Sequence, residues 1–208
     1  MSRFSFMRYP GSKARIFDKI YAHFPRNDQS YCEPFLGGGS VLLNSLIAGY
    51  KPKRVWIGDL DEAVSAVWTS VIRWPDELKR MIANYTPTLD DYNRFKSEIC
   101  QITEYSMHGY KDVFLNWAFH ELVLRQCSYS GLGRMAGPIG GKNQKSKDNI
   151  SSRWNPKKLC QKIDTVHQLL SGVEIVGDRC WAMEAFDLIN HAENSFTYLD
   201  SPYVGQGE

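Results

Sequence analysis

A run of three glycines, followed at a distance by one acidic residue, has residue types and spacing that suit a ligand-binding site. The segment EPFLGGGS covers residues 33–40 and separates a short apolar run from a helix-like pattern. Glycines at such a position let a ligand approach the backbone, because no Cβ atom stands in the way. Asp59 lies about 20 residues beyond Gly39, which is the spacing at which an acidic residue accepts hydrogen bonds from a bound ribose.

The arrangement of these glycines limits the class of ligand. The segment does not contain the G-x-G-x-x-G pattern that brings a backbone close to a dinucleotide pyrophosphate. A nucleoside without phosphates therefore fits better than a dinucleotide. The alternative interpretation is a structural turn followed by a carboxylate at the end of a strand.

A second segment combines positive charge with small residues. Along it, Arg125, Arg134, Lys142, Lys145 and Lys147 alternate with tyrosine, glycine and serine. Phosphate groups attract such a stripe, and arginine can bind the edge of guanine. The segment therefore predicts contact with nucleic acid, with a solvated basic loop as the alternative.

Strands and helices alternate at both ends of the chain. Apolar runs over residues 31–35, 54–59 and 196–200 predict buried strands, and residues 173–176 predict a weaker fourth strand. Apolar residues at helical spacing predict helices over the segments 40–48 and 61–73, which Gly49 and the Trp74-Pro75 pair end. This alternation predicts an α/β fold with a parallel sheet and covering helices.

The alternation stops between residues 74 and 170. This stretch is mostly helical in pattern, most clearly over residues 110–125, and it contains one irregular segment over residues 127–155. A loop of that length inside a compact domain is usually functional or disordered. We therefore predict one domain formed by residues 1–73 and 171–208, with residues 74–170 as an inserted helical domain.

Composition excludes several classes of protein. A net charge of +2 neither requires nor excludes nucleic acid. The cysteines occur singly and number five, without a C-x-x-C pair, which argues against a zinc site or a disulfide framework and favours reduced cytosolic thiols. The sequence has no apolar run of ~18 residues, so we expect no membrane span, and its first 15 residues do not resemble a signal peptide.

Four segments together resemble the Dam-type adenine-specific DNA methyltransferases. RYPGSK at residues 8–13 resembles their W-x-G-G-K element, and CEPFLGGGSVLLN at residues 32–44 resembles their cofactor loop. RQCSYSGLGRMAGPIGG at residues 125–141 resembles part of their recognition region, and LDSPY at residues 199–203 resembles their catalytic D-P-P-Y. The resemblance implies a Rossmann-like methyltransferase sheet, a helical DNA-recognition insertion, S-adenosylmethionine as cofactor and double-stranded DNA as partner.

The resemblance also implies a catalytic role for Asp200, Ser201, Pro202 and Tyr203. The exocyclic amino nitrogen of adenine is a poor nucleophile, so the site must orient it with hydrogen-bond acceptors. Asp200 would supply a side-chain acceptor and Ser201 its backbone carbonyl, while Pro202 would stiffen the turn. Tyr203 would stack on the base once it is flipped out of the duplex. Ser201 replaces the first proline of the family pattern, so we expect weaker pre-organisation but retained chemistry.

The remaining site residues come from the same resemblance. Lys13 could pair with the methionine carboxylate as a point charge, although a solvated lysine is the alternative. Asp178 is a weaker candidate beside the adenine ring of the cofactor, against a surface turn. The predicted cofactor-binding residues are Tyr9, Lys13, Glu33, Phe35, Gly37, Gly39, Ser40, Asp59, Asp178 and Asp200. The predicted DNA-binding residues are Tyr129, Ser130, Arg134, Lys142 and Lys145.

The position of the catalytic motif affects the expected activity. The sequence ends at Glu208, eight residues after Asp200, whereas the resembled family has further strands beyond this motif. We therefore expect the C-terminal strands to be absent and the strand over residues 196–200 to form an exposed apolar edge. We also expect the 208-residue chain alone to be inactive.

The leading hypothesis is a site-specific adenine methyltransferase that acts as a monomer, without metal or membrane, in the cytoplasm of a bacterium or a phage-infected host. A catalytically inactive DNA-binding remnant of such an enzyme is the first alternative, which Ser201 and the early end of the sequence allow. A nucleotide-dependent oxidoreductase on a doubly wound sheet is the second. The glycine run of residues 37–39 counts against it.

Overall fold

The computed structural model describes residues 3–27, 29–100 and 111–201. Four strands form one parallel sheet in the order β3-β2-β1-β4. The strands are β1 (Ser30–Glu33), β2 (Arg54–Ile57), β3 (Glu174–Ile175) and β4 (Ser195–Thr197). The predicted α/β fold with a parallel sheet is therefore confirmed, and each strand is shorter than its apolar run because the backbone pairing stops first.

The order of the strands creates a switch point beside β1. The chain runs outward from β1 through β2 to β3, and then returns to place β4 on the other side of β1. Loops that follow two such strands diverge and leave a crevice outside their carboxyl ends, where ligands bind in open α/β sheets. The glycine run follows β1, and Asp200 follows β4.

Eight α-helices lie within the described ranges. They are α1 (Phe17–Tyr21), α2 (Ser40–Ile47), α3 (Glu62–Arg73), α4 (Pro75–Ala83), α5 (Leu89–Ile99), α6 (Lys111–Cys127), α7 (Pro156–Ser171) and α8 (Ala185–His191). Local sequence explains several helix starts. The side chains of Asp61, Thr88 and Asn155 accept hydrogen bonds from backbone N–H groups in the first turns of α3, α5 and α7, as capping residues do. Pro75 and Pro156 occupy first-turn positions, where a missing N–H costs little.

One continuous hydrophobic core joins the sheet to the helices of residues 74–170. Trp68 on α3, Leu122 on α6 and Val166 on α7 are all fully buried in it. Helix α3 packs against both α6 and α7, and α7 also contacts α2 and β3. The proposed insertion therefore shares its core with the sheet domain, and the division at residues 74 and 170 stays a prediction.

Strand β4 forms one edge of the described sheet. Its aromatic side chain, Phe196, is partly covered by other rings. The Phe196 ring lies 4.8 Å from the Phe24 ring and 6.2 Å from the Tyr31 ring, measured between centroids. Leu199, just beyond the strand, is 56% exposed. Among the described residues, no helix is long and apolar enough to cross a membrane.

Candidate functional site

A cleft of about 420 Å³ opens where the loops after β1, β2 and β4 approach the N-terminal segment. Its wall brings together predicted residues from four separate parts of the sequence. They are Tyr9, Lys13, Glu33, Phe35, Gly37, Ser40, Asp59, Asp200 and Ser201. Gly39 lies against Trp68 instead. The side chain of Asp178 and the whole of Pro202 and Tyr203 lie outside the described residues.

The glycine run adopts its shape because of two aromatic rings of the protein itself. Gly37 and Gly39 have φ angles of +48° and +61°, in the left-handed region that favours glycine. A Cβ atom on Gly37 would lie 2.6 Å from the Tyr9 ring, and one on Gly39 would lie 2.4 Å from the Trp68 indole. The Trp68 Nε1–H also donates a hydrogen bond of 2.8 Å to the Gly37 carbonyl. These contacts require the glycines whether or not a ligand is bound, a reason the sequence alone did not indicate.

Asp59 is buried and already accepts two hydrogen bonds from the backbone. Its Oδ2 accepts from the Gly37 N–H at 2.7 Å and its Oδ1 from the Asp61 N–H at 3.0 Å. Burial raises the pKa of Asp59 to about 6, although these two N–H groups act in the opposite direction. Asp59 therefore fixes the glycine run as well as lining the cleft.

Glu33 is a second buried carboxyl group in the cleft wall. Its Oε2 accepts a hydrogen bond of 2.8 Å from the Tyr31 hydroxyl. Burial raises the pKa of Glu33 to about 8, and the nearby Asp200 and Asp59 raise it further, against the Tyr31 hydrogen bond. At neutral pH Glu33 is thus mostly protonated and can donate as well as accept a hydrogen bond.

Lys13 is bound within the cleft and is not a solvated side chain. Its Nζ donates to Asp200 Oδ2 at 2.5 Å and to the Gly11 carbonyl at 2.9 Å. Its backbone N–H donates to Ser40 Oγ at 3.1 Å, which ties the N-terminal segment to the start of α2. The cleft therefore holds a lysine ammonium group among three carboxyl groups.

A charged network that the sequence did not indicate lies behind this wall. Arg125 is only 7% exposed, and it forms an ion pair of 2.5 Å with the fully buried Glu121. Its guanidinium group stacks over the Tyr9 ring at 4.5 Å. The expectation that Arg125 belongs to a phosphate-attracting stripe is therefore wrong, since packing encloses it. The available signal was the pair of opposite charges four residues apart on α6, on either side of the apolar residues 122–124.

The segment after α6 is folded back on itself rather than open. Tyr129 N–H donates to the Gly137 carbonyl at 3.0 Å, and Ile139 N–H donates to the Cys127 carbonyl at 2.8 Å. Between these points the chain forms two 3₁₀ turns, Tyr129–Gly131 and Gly133–Met135. We call residues 128–139 the recognition segment.

The predicted DNA-binding residues differ in accessibility. Tyr129 is 72% exposed, and Ser130, Lys142 and Lys145 are exposed as well. Arg134 is half-buried, and its Nη1 forms an ion pair of 2.9 Å with Asp61 Oδ1. The Arg134 guanidinium group, which was predicted to contact DNA, is therefore engaged by a residue of the loop after β2.

A parallel sheet with a crevice at its switch point, lined by carboxyl groups and a glycine run, is the arrangement of an open α/β domain. The chain belongs to the D12 class N6 adenine-specific DNA methyltransferase family, which matches residues 9–208. It is also similar to the Type II methyltransferase M.MjaIII of Methanocaldococcus jannaschii, with 28% identity over 222 aligned residues. That alignment covers 95% of this chain and 68% of the relative.

The family assignment confirms the resemblance that the four motifs carried. The protein is an adenine-specific DNA methyltransferase with a Rossmann-like fold. The oxidoreductase alternative is excluded by this membership.

Proposed function

We propose that the protein binds S-adenosylmethionine in the cleft and methylates the exocyclic amino group of adenine at a defined site in double-stranded DNA. The observation that carries this proposal is the meeting of Lys13, Asp59 and Asp200 in one cleft at the switch point beside β1. Family membership supports a methyl donor and a DNA substrate.

The cleft has the chemistry that S-adenosylmethionine requires. Its volume of about 420 Å³ lies within the range of roughly 300–1,000 Å³ that is usual for small-molecule sites. Phe35, Leu36 and Val41 provide apolar wall for a base. The carboxyl groups of Glu33 and Asp59 suit ribose hydroxyls, and Lys13 suits a carboxylate.

The residues of this chain would orient the reacting amino group. When bound, S-adenosylmethionine supplies an electrophilic methyl group. The Oδ atoms of Asp200 and the carbonyl of Ser201 would accept hydrogen bonds from the adenine amino group and direct its nitrogen lone pair at the methyl group. These hydrogen bonds would be strongest in the transition state for methyl transfer. Lys13 holds the Asp200 carboxylate in place at 2.5 Å. The exposed Tyr129, Ser130, Lys142 and Lys145 would contact the duplex and position it.

Methylation in cells tests the proposal. The full natural reading frame that contains this sequence should be expressed in a host that lacks adenine methylation, and the host DNA sequenced by a method that detects modified adenines. Modified adenines in one sequence context, absent from cells with empty vector, are the expected result. Duplex binding without any methyl transfer would instead support the DNA-binding remnant, and absence of both activities would contradict the proposal.

A further inference from the structure

Asp61 lies where the recognition segment meets the wall of the cleft. Its side chain is 20% exposed, and its Oδ1 accepts from Arg134 Nη1 at 2.9 Å. Its Oδ2 lies 3.8 Å from Arg125 Nη2. Through its backbone, Asp61 also donates a hydrogen bond of 3.0 Å to Asp59 Oδ1.

From Asp61 the contacts continue in two directions. Towards the cleft, Asp59 binds the Gly37 N–H at 2.7 Å, and Arg125 stacks on the Tyr9 ring that packs against the same glycine. Towards the recognition segment, Arg134 belongs to the 3₁₀ turn Gly133–Met135. Arg125 also donates to the Gly131 carbonyl at 3.3 Å.

The burial of these charges makes the arrangement specific. Glu121 is fully buried and Arg125 is 7% exposed, so each needs its counter-charge in place. Asp61 faces both arginines, and no described lysine pairs with it. Moving the recognition segment away from the cleft would break the Arg134–Asp61 ion pair, whose side chains are 30% and 20% exposed. It would also take the Gly131 carbonyl away from the buried Arg125.

We propose that Asp61 is a positioning residue that couples the recognition segment to the cofactor cleft, so that S-adenosylmethionine and duplex DNA strengthen each other's binding. This proposal rests on the proposed function. A ligand that contacts Asp59 and Gly37 favours the position of Asp61 in which its side chain holds Arg134. DNA that binds the recognition segment in this arrangement favours the same position of Asp61, and the effect is reciprocal.

Asp61→Asn removes the charge and keeps the shape, and asparagine serves equally well at the N-cap of α3. The affinity for an unmethylated duplex that contains the sequence in which the protein methylates adenine should be measured with and without S-adenosylhomocysteine. This product of the cofactor cannot transfer a methyl group. In the wild type we expect the cofactor product to tighten duplex binding about 10-fold, within the usual range for coupled sites. In Asp61→Asn the gain should fall below about 3-fold, while affinity for the cofactor product alone changes by less than about 3-fold.

Asp112→Asn is the matched control, since it removes the same charge from an exposed position on α6. Its coupling should equal that of the wild type. Equal coupling in the wild type and Asp61→Asn would overturn the role of Asp61 and leave the proposed function intact. Failure of the wild type to bind the cofactor product would overturn the proposed function itself.

Hydrogen exchange of the wild type decides the question if Asp61→Asn does not fold. Adding S-adenosylmethionine in the absence of DNA should slow amide exchange in residues 129–136 as well as around the cleft. Slowing that is confined to the cleft would overturn the coupling.

Discussion

Single residues in the cleft act on one another before any ligand is considered. Lys13 and Asp200 form an ion pair across 187 positions of sequence, and Asp59 fixes Gly37. The sequence motifs predicted that these residues belong to one site. The motifs did not predict which of these residues contact one another, because those contacts depend on how loops after different strands converge.

In the full natural reading frame, Asp200→Ala should abolish methyl transfer, with a loss of at least roughly 100-fold in kcat, because an acceptor that orients the amino group acts mainly in the reacting geometry. Folding should be largely spared, since Asp200 lies beyond the end of β4 and Lys13 Nζ keeps its hydrogen bond to the Gly11 carbonyl. A labelled-methyl assay together with thermal unfolding measures both quantities. Ser201→Pro, which restores the family pattern, should leave activity equal or higher, and full activity in Asp200→Ala would contradict the mechanism.

At the scale of elements, the spacing of apolar residues predicted the bounds of helices but not the burial of a charged side chain. Helices α2 and α3 match the predicted segments to within one residue at each end, because helical spacing of apolar residues records their buried faces. Arg125 was misplaced on the surface, since the opposite charges of Glu121 and Arg125 indicate a pairing along α6 but not that the pair is buried beneath Tyr9. Burial of a charge depends on tertiary contacts that a single sequence does not display.

The glycine run provides a test of packing against ligand binding. Gly39→Ala places a Cβ atom 2.4 Å from the Trp68 indole. This overpacking should destabilise the fold by about 1–3 kcal/mol, in addition to the cost of placing alanine at a positive φ. Gly49→Ala is the matched control. Gly49 also has a positive φ, of +95°, but a Cβ atom there would meet no heavy atom within 4 Å. Urea unfolding compares the two variants, and equal losses would show that the Trp68 contact does not require glycine.

The exposed lysines beyond the recognition segment should act through charge alone. Replacing Lys142, Lys145 and Lys147 with alanine should weaken duplex binding for all sequences and lower the salt slope by up to about three units, since each phosphate contact contributes about 0.9. Binding titrations at several salt concentrations measure this slope. Replacement of the exposed Lys51 and Lys53, on the loop before β2, provides a control with less loss of charge. A slope unchanged by the triple replacement would remove these lysines from the interface.

At the scale of the whole molecule, the strand order and the shared core explain why distant motifs meet. The chain reverses beside β1, so the loops after β1 and β4 face one cleft. Helix α6 packs on α3, which brings the recognition segment to the same edge of the sheet. The alternation of strands and helices predicted the parallel sheet. The continuous core was not predictable, because a change of pattern at residue 74 looks the same for a separate domain and for helices packed on the sheet.

Stability of the whole molecule should depend on the protonation of Glu33. Burial raises its pKa from 4.5 to about 8, so between these values the folded protein holds a proton that the unfolded chain releases. The contribution of this group to stability must therefore fall as pH rises from about 4.5 to about 8.

Glu33→Gln keeps a hydrogen-bond acceptor for the Tyr31 hydroxyl and removes this titration. Relative to wild type, its free energy of unfolding should improve by roughly 3 kcal/mol between pH 5 and pH 8. Glu174→Gln on the exposed part of β3 should show no such change, and urea unfolding at the two pH values measures both variants. A parallel pH dependence in wild type and Glu33→Gln would mean that Glu33 is ionised in the folded protein at neutral pH.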